Sequence, residues 1–239
     1  MKAIILCAGN STRYGKNKLL AKFNDKTLPE YNIDFCIENG ITDICVTVSR
    51  NQCDITYYGE IGNDVVSNLV SYVEKFSAEK INLSFKFQDT DKYGPGAGLL
   101  PWLPDNQEDV LVLFGDNFVK GKFDKSLLKE FDAVATYKEL EKDSTNERFG
   151  AIDGNKLIEK PHLYREGKFF IGFAYFTPDG FRKLNDLSPS VKRKEYEITE
   201  FFNSIEKRTI TPVVEHWIDL TYQSDDTDVS SAIAKASNI

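Results

Sequence analysis

The chain has 239 residues, 41% of them hydrophobic, enough for one large core or a core with a modest insertion. A net charge of −7 and an isoelectric point near 5.1 exclude a surface that wraps a nucleic-acid backbone by counterion release, so any polyanionic ligand is held locally. No apolar run approaches the ~20 residues that cross a bilayer, and the first residues lack the apolar stretch of a signal peptide, so the expectation is a cytoplasmic protein with no membrane partner.

The first apolar run, Ile4 to Leu6, has the form of a buried parallel strand. It leads into Ala8, Gly9, Asn10, Ser11 and Thr12, with almost no side-chain bulk, and then into the cations Arg13, Lys16 and Lys18. Small residues let a ligand approach the backbone and the cations favour an anion, so this loop is a candidate phosphate cradle. Thr27 can cap a helix with Pro29 in its first turn and Gly40 just past its end. A strand is expected over residues 43–49. Val65, Val66, Leu69, Val70, Val73 and Phe76 then repeat at helical spacing, and further strands follow over 83–87, 110–114 and 133–137. Strands alternating with helices predict a mainly parallel sheet.

From Phe149 the texture changes. Asp153, Gly154 and Asn155 lie between two strand-like runs, which predicts a hairpin and a more antiparallel second half. The last helices are expected over 197–207 and 228–236. No repeat, low-complexity tract or linker divides the chain, so residues 1–239 read as a single domain. Cys7, Cys36, Cys45 and Cys53 form no CxxC pair and are joined by only two histidines, His162 and His216, a pattern of reduced core thiols.

The loop LCAGNSTRYGKNK has neither the GxxxxGK[ST] nor the GxGxxG spacing, so its cradle is of another kind. Asp116 in FGDN follows an apolar strand, where open α/β sheets bind ligands; it can hold Mg²⁺ or serve as an ordinary turn residue. The loop, FGDN, FKFQDTDKYGPGAGLL, RFGAIDGNKLIEKP, FIGFAYF, EYEITEF and HWIDLTY follow one another in the order found in sugar-1-phosphate nucleotidyltransferases. The chain resembles that family from Met1 to about Tyr222, and within it the glucose-1-phosphate thymidylyltransferase branch most.

The resemblance implies a Rossmann-like α/β fold, with a mostly parallel central sheet, flanking helices and a small antiparallel subsheet. It also implies transfer of a nucleotidyl group from a nucleoside triphosphate, dTTP or UTP in preference, to a sugar 1-phosphate. It places Arg13 and Lys18 on the phosphates, with Leu6, Ala8, Gly9, Asn10, Gln88 and Gly94 around the nucleotide. Asp116 and Asp219 match the two Mg²⁺ ligands, and two carboxylates with phosphate oxygens make an ordinary Mg²⁺ shell. Asn117, Gly150, Glu159, Lys160, Gly172 and Glu197 match the acceptor contacts.

Each residue also has a plainer reading. Lys18 can be a solvated helix-start cation with Lys16 in its place, Gly150 and Gly172 can mark bulges, and Glu197 can be a first-turn helix acid. Gln88 can be a polar strand end facing solvent, and its carboxamide, once flipped, would serve cytosine as well as uracil. Glu159 and Lys160, as successive strand residues, reach one ligand only if the strand ends or twists there.

The loop is poorer in glycine than the family's, and only four residues separate Arg13 from Lys18, a spacing like that of smaller enzymes with an RMGxxK pattern. Two alternatives therefore stay open: a cytidylyltransferase acting on a phosphorylated alcohol or amine, and a catalytically idle regulatory homologue. A homo-oligomer is allowed by the sequence.

Overall fold

The computed structural model describes residues 1–9, 11, 13–49, 64–76, 80–104, 106–160, 166–213 and 215–237. Asn10, Thr12, Cys53, Pro161 and His162 lie outside them. The strands and helices in chain order are β1 (Lys2–Cys7), β2 (Lys22–Phe23), β3 (Lys26–Thr27), α1 (Leu28–Glu38), β4 (Asp43–Val48), α2 (Val65–Val73), β5 (Asn82–Phe87), β6 (Val110–Phe114) and β7 (Asn117–Lys120). They continue with β8 (Ala133–Leu140), β9 (Gly150–Asp153), β10 (Lys156–Ile158), β11 (Gly167–Phe176), α3 (Pro178–Arg182), α4 (Ile198–Ser204), β12 (Arg208–Pro212), β13 (His216–Asp219) and α5 (Asp226–Ser237). The fold is α/β, a mostly parallel central sheet with flanking helices and small antiparallel sheets, as the sequence implies. Its residues group into two compact units, one of 1–88, 113–122 and 214–239, the other of 89–112 and 123–213.

The first unit holds the parallel strands in the order β1–β4–β5. Ile4, Ile5, Ile44 and Val46 are fully buried, because strands of such a sheet are covered on both faces. Helix α1 starts as expected: Thr27 accepts from the Glu30 amide, the Glu30 carboxylate accepts from the Thr27 amide, and Pro29 lies in the first turn. A cap of this kind is worth about 1 kcal/mol. Gly40 takes the left-handed φ of +69° just past the helix end.

Helix α2 stops at Val73, short of the apolar repeat, and Phe76 packs edge-on to Tyr72 with ring centroids 5.3 Å apart. An antiparallel ladder of β7 and β13 completes the unit, setting Asn117 opposite Asp219. Helix α5 seals it by burying Val229 and Ile233 in a cluster with Tyr14, Phe118 and Leu220.

The second unit is largely antiparallel: β8 and β9 pair with β11, and β10 with β9, while β12 runs parallel to β8. The hairpin turns at Asp153–Lys156 with Gly154 at φ +57°, as its sequence predicts. Its core is aromatic, with Phe176, Phe181 and Phe201 fully buried against one another, each worth about 1.5–3 kcal/mol in burial. Helix α4 ends at Ser204 rather than at residue 207, because the Lys207 carbonyl accepts from the Asp132 and Ala133 amides to start the β12 pairing. Strand pairing there outcompetes another half turn of helix.

Candidate active site

In the first unit the loop after β1 is built around Ser11, whose φ is +53° and whose carbonyl accepts from the Tyr14 and Gly15 amides at 3.0 and 3.2 Å. Asn17 caps a single turn over Lys18–Leu20. Leu6 and Ala8 are half-buried and Gly9 is exposed. A Cβ added at Gly9 would meet no atom within 4 Å, so the space over that backbone is open.

Beside this loop, β6 ends and Gly115 donates to the Leu6 carbonyl at 2.9 Å. The next residue, Asp116, carries its carboxylate onto the Lys18 ammonium, which also donates to the Leu220 carbonyl at 2.8 Å. Lys18 is therefore the loop cation that meets the acid; Lys16 lies 5.8 Å from the Tyr14 ring centroid and is exposed.

The end of β13 arrives at the same place. The Leu220 amide donates to the Asp116 carbonyl at 3.0 Å, so Asp116 and Asp219, 103 positions apart in the chain, sit at adjoining points of one unit. Asp219 is buried and accepts from the Thr221 hydroxyl. Asn117 is buried opposite it.

Asp116 already bears a cation, and both acids present hard oxygen, so these residues fit an Mg²⁺ that takes its remaining ligands from phosphate and water. Among the described residues no three His, Cys, Asp or Glu side chains gather into a cage of their own. Arg13 is exposed, its guanidinium carbon 5.9 Å from the Tyr222 ring centroid. Burial, and then the Asp116 charge, push the Cys7 thiol up, which suits a core thiol and not a nucleophile. Gln88 is half-buried at the end of β5, its amide donating to the Val48 carbonyl at 2.9 Å.

The second unit holds the acceptor candidates other than Asn117, which lies in the first. Strand β10 ends at Ile158, and Lys160 turns to φ +39°, so the alternation that would separate Glu159 from Lys160 is broken; their charged groups lie 3.3 Å apart. Arg193 spans three acids, with Nη1 3.1 Å from Glu159, Nη2 2.8 Å from Glu195 and Nε 3.2 Å from Glu197. Thr199 donates to the other Glu159 oxygen at 2.9 Å.

Glu197 is the N-cap residue of α4, not a first-turn acid, and its side chain makes no capping bond. A Cβ on Gly150 would come within 3.3 Å of the Thr199 methyl. Gly172 has φ +73° where the β8–β11 register shifts, so it does mark a bulge. Gly94, at φ +96°, lets the Tyr196 carbonyl come where a Cβ would be only 2.7 Å from it; its glycine identity thus serves packing against the Glu195–Glu197 segment. No motif in the sequence singles out Arg193, Glu195 or Thr199. Their signal is a cation four residues before Glu197, which only the folded turn distinguishes from an ordinary surface pair.

Burial, and then the charge of Glu159, push the Glu197 carboxyl up from 4.5 to about 7. A folded-state value above the unfolded one means that the folded protein holds the extra proton, so stability falls as pH rises from 4.5 to about 7. Glu197→Gln should flatten that part of a stability–pH profile measured by urea midpoints. An unchanged slope in the variant would assign the titration elsewhere.

A family model described as the MobA-like NTP transferase domain matches residues 3–143. No curated protein matches the chain in sequence. Among solved structures, one assigned as a glucose-1-phosphate thymidylyltransferase from Bacillus anthracis, in complex with sucrose, superposes with a TM-score of 0.75 at 19% identity, covering 97% of this chain and 94% of that one. A UDP-glucose pyrophosphorylase complexed with UDP-glucose gives 0.73 at 19% identity, with 98% of each chain covered, and an apo UDP-glucose pyrophosphorylase gives 0.70 at 19%, with 99% of each covered. At that identity the likeness establishes a shared fold.

Proposed function

Because the chain belongs to the MobA-like NTP transferase family and is a nucleotidyltransferase, we propose that it joins a nucleoside triphosphate, dTTP or UTP in preference, to a sugar 1-phosphate. The observation that carries this reading is the cluster of Glu159, Lys160, Arg193, Glu197 and Thr199, which sets acceptors for hydroxyls beside cations for a phosphate. In the reaction an acceptor phosphate oxygen attacks the α-phosphorus in line. A new P–O bond forms as the bond from the α-phosphorus to the bridging oxygen breaks, and pyrophosphate leaves.

The protein supplies position and charge. Arg13 offers a planar fork to the triphosphate, and Lys18 offers a point charge. Lys160 holds the acceptor phosphate while Glu159 and Glu197 accept from its hydroxyls. Asp116 and Asp219 would hold Mg²⁺, which supplies charge neutralisation to the phosphates. No side chain forms a covalent intermediate.

Three carboxyl groups against two cations in the acceptor cluster, with Glu197 pushed up to about 7 and so only partly ionised near neutral pH, favour one second reading, a cytidylyltransferase whose acceptor is a phosphorylated amine. Pyrophosphate release measured over a grid of nucleotides against hexose 1-phosphates and phosphorylated amino alcohols separates the two. Activity with dTTP or UTP and a hexose 1-phosphate is expected; CTP with an amino alcohol phosphate would establish the second reading, and ATP or GTP as best donor would refute both. With the best pair in hand, Lys160→Ala should raise the acceptor KM by about tenfold or more and leave the nucleotide KM in place. Equal shifts in both would remove Lys160 from the acceptor site.

A further inference from the structure

The family resemblance implies phosphate for Lys18 and a metal for Asp116, yet the two side chains are bound to each other. The ammonium has a carboxylate oxygen on one side and the Leu220 carbonyl at 2.8 Å on the other, a pair of hard oxygen donors such as a metal ion selects. This is not a loose surface pair, since the Lys18 and Asp116 side chains are only 12% and 24% exposed and the Lys18 amide is tied to the Ser11 hydroxyl at 3.3 Å. The neighbouring acids hold other donors: Asp219 accepts from Thr221, Asp225 from the Thr221 and Tyr222 amides, and Asp226 from the Tyr14 hydroxyl.

We infer that in the nucleotide-free protein Lys18 fills the cation position formed by the Asp116 carboxylate and the Leu220 carbonyl oxygen, so that a divalent metal enters only together with a triphosphate. The inference rests on the reading of Asp116 as a metal ligand. The Asp116 oxygen and the Leu220 carbonyl that hold the ammonium are not open to a divalent ion, and an ion on the other carboxylate oxygen would lie close to a like charge in a half-buried site. A triphosphate resolves the conflict by bringing anionic oxygens that accept the ammonium as the metal takes the carboxylate. Lys18 then has two successive partners, Asp116 before the nucleotide arrives and phosphate after it. The free protein is thereby kept from collecting metal ions without a substrate.

Mn²⁺ serves as the probe, with the free ion counted by its paramagnetic resonance signal in the nucleotide-free protein. Lys18→Gln should bind Mn²⁺ at least about tenfold more tightly than the parent, since a like charge in contact with the ion is removed. Equal affinity in the two proteins overturns the inference. Adding Asp116→Asn to Lys18→Gln should abolish the gained site; if the site persists, the reading of Asp116 as a ligand fails instead. The parent protein alone gives a second measurement, the enhancement of water proton relaxation by Mn²⁺, which should rise only when a nucleoside triphosphate is added. The same enhancement without nucleotide also overturns the inference.

Discussion

Asp116→Asn should lower turnover at least about a hundredfold while leaving the protein folded, because on the proposed reading several kcal/mol of charge stabilisation on the phosphates depends on that carboxylate. The substitution preserves shape and keeps the backbone bond from the Leu220 amide to the Asp116 carbonyl. What it removes is the negative charge that faces Lys18. The Leu220 carbonyl still accepts from the ammonium, so the stability loss should stay near 1 kcal/mol, the scale of a partly exposed pair. Steady-state turnover and a denaturant midpoint measured on the same preparation separate the two effects. A folded variant with near-normal turnover would remove Asp116 from the chemistry.

Gly115→Ala should cost about 2–3 kcal/mol and most of the activity, although it adds one methyl group. A Cβ there would lie 2.5 Å from the Cys7 sulfur and 2.9 Å from the Leu6 carbonyl oxygen. The sulfur can move a little, but the carbonyl belongs to β1 and already accepts from the Gly115 amide. The end of β6 must therefore shift, and with it the acid that follows. Adding Cys7→Ala should recover part of the stability and less of the activity, because it relieves the contact with sulfur and not the one with backbone. If Gly115→Ala matches the parent in urea midpoint and turnover, the close approach of the two strand ends does not constrain Asp116.

Asp116 and Gly115 differ in how far the sequence alone marks them. FGDN after an apolar strand singles out Asp116 without any structure, as a metal ligand or a turn residue, since a carboxylate just past a strand end is a local pattern. The glycine before it carries no such mark, because its neighbour, Cys7, is more than 100 positions away in the chain. The same contrast holds elsewhere. Thr27, Pro29, Glu30 and Gly40 announce helix α1, and Asp153, Gly154 and Asn155 announce a hairpin, because caps and turns are made by residues that are neighbours in sequence.

By itself, then, the sequence determined the alternation of strands and helices, the loop after β1 and the acid after β6, all of which rest on periodicity, backbone freedom and hydrogen bonds within a few residues. Only the tertiary structure decided which loop cation meets Asp116, that the Leu220 carbonyl shares it, and that Arg193 draws Glu159, Glu195 and Glu197 together. It also decided that Glu159 and Lys160 face one place, through a left-handed φ that strand alternation does not anticipate. The reason is physical: side-chain charges a few ångströms apart interact through space, and chain separation says nothing of that distance until the strands have paired.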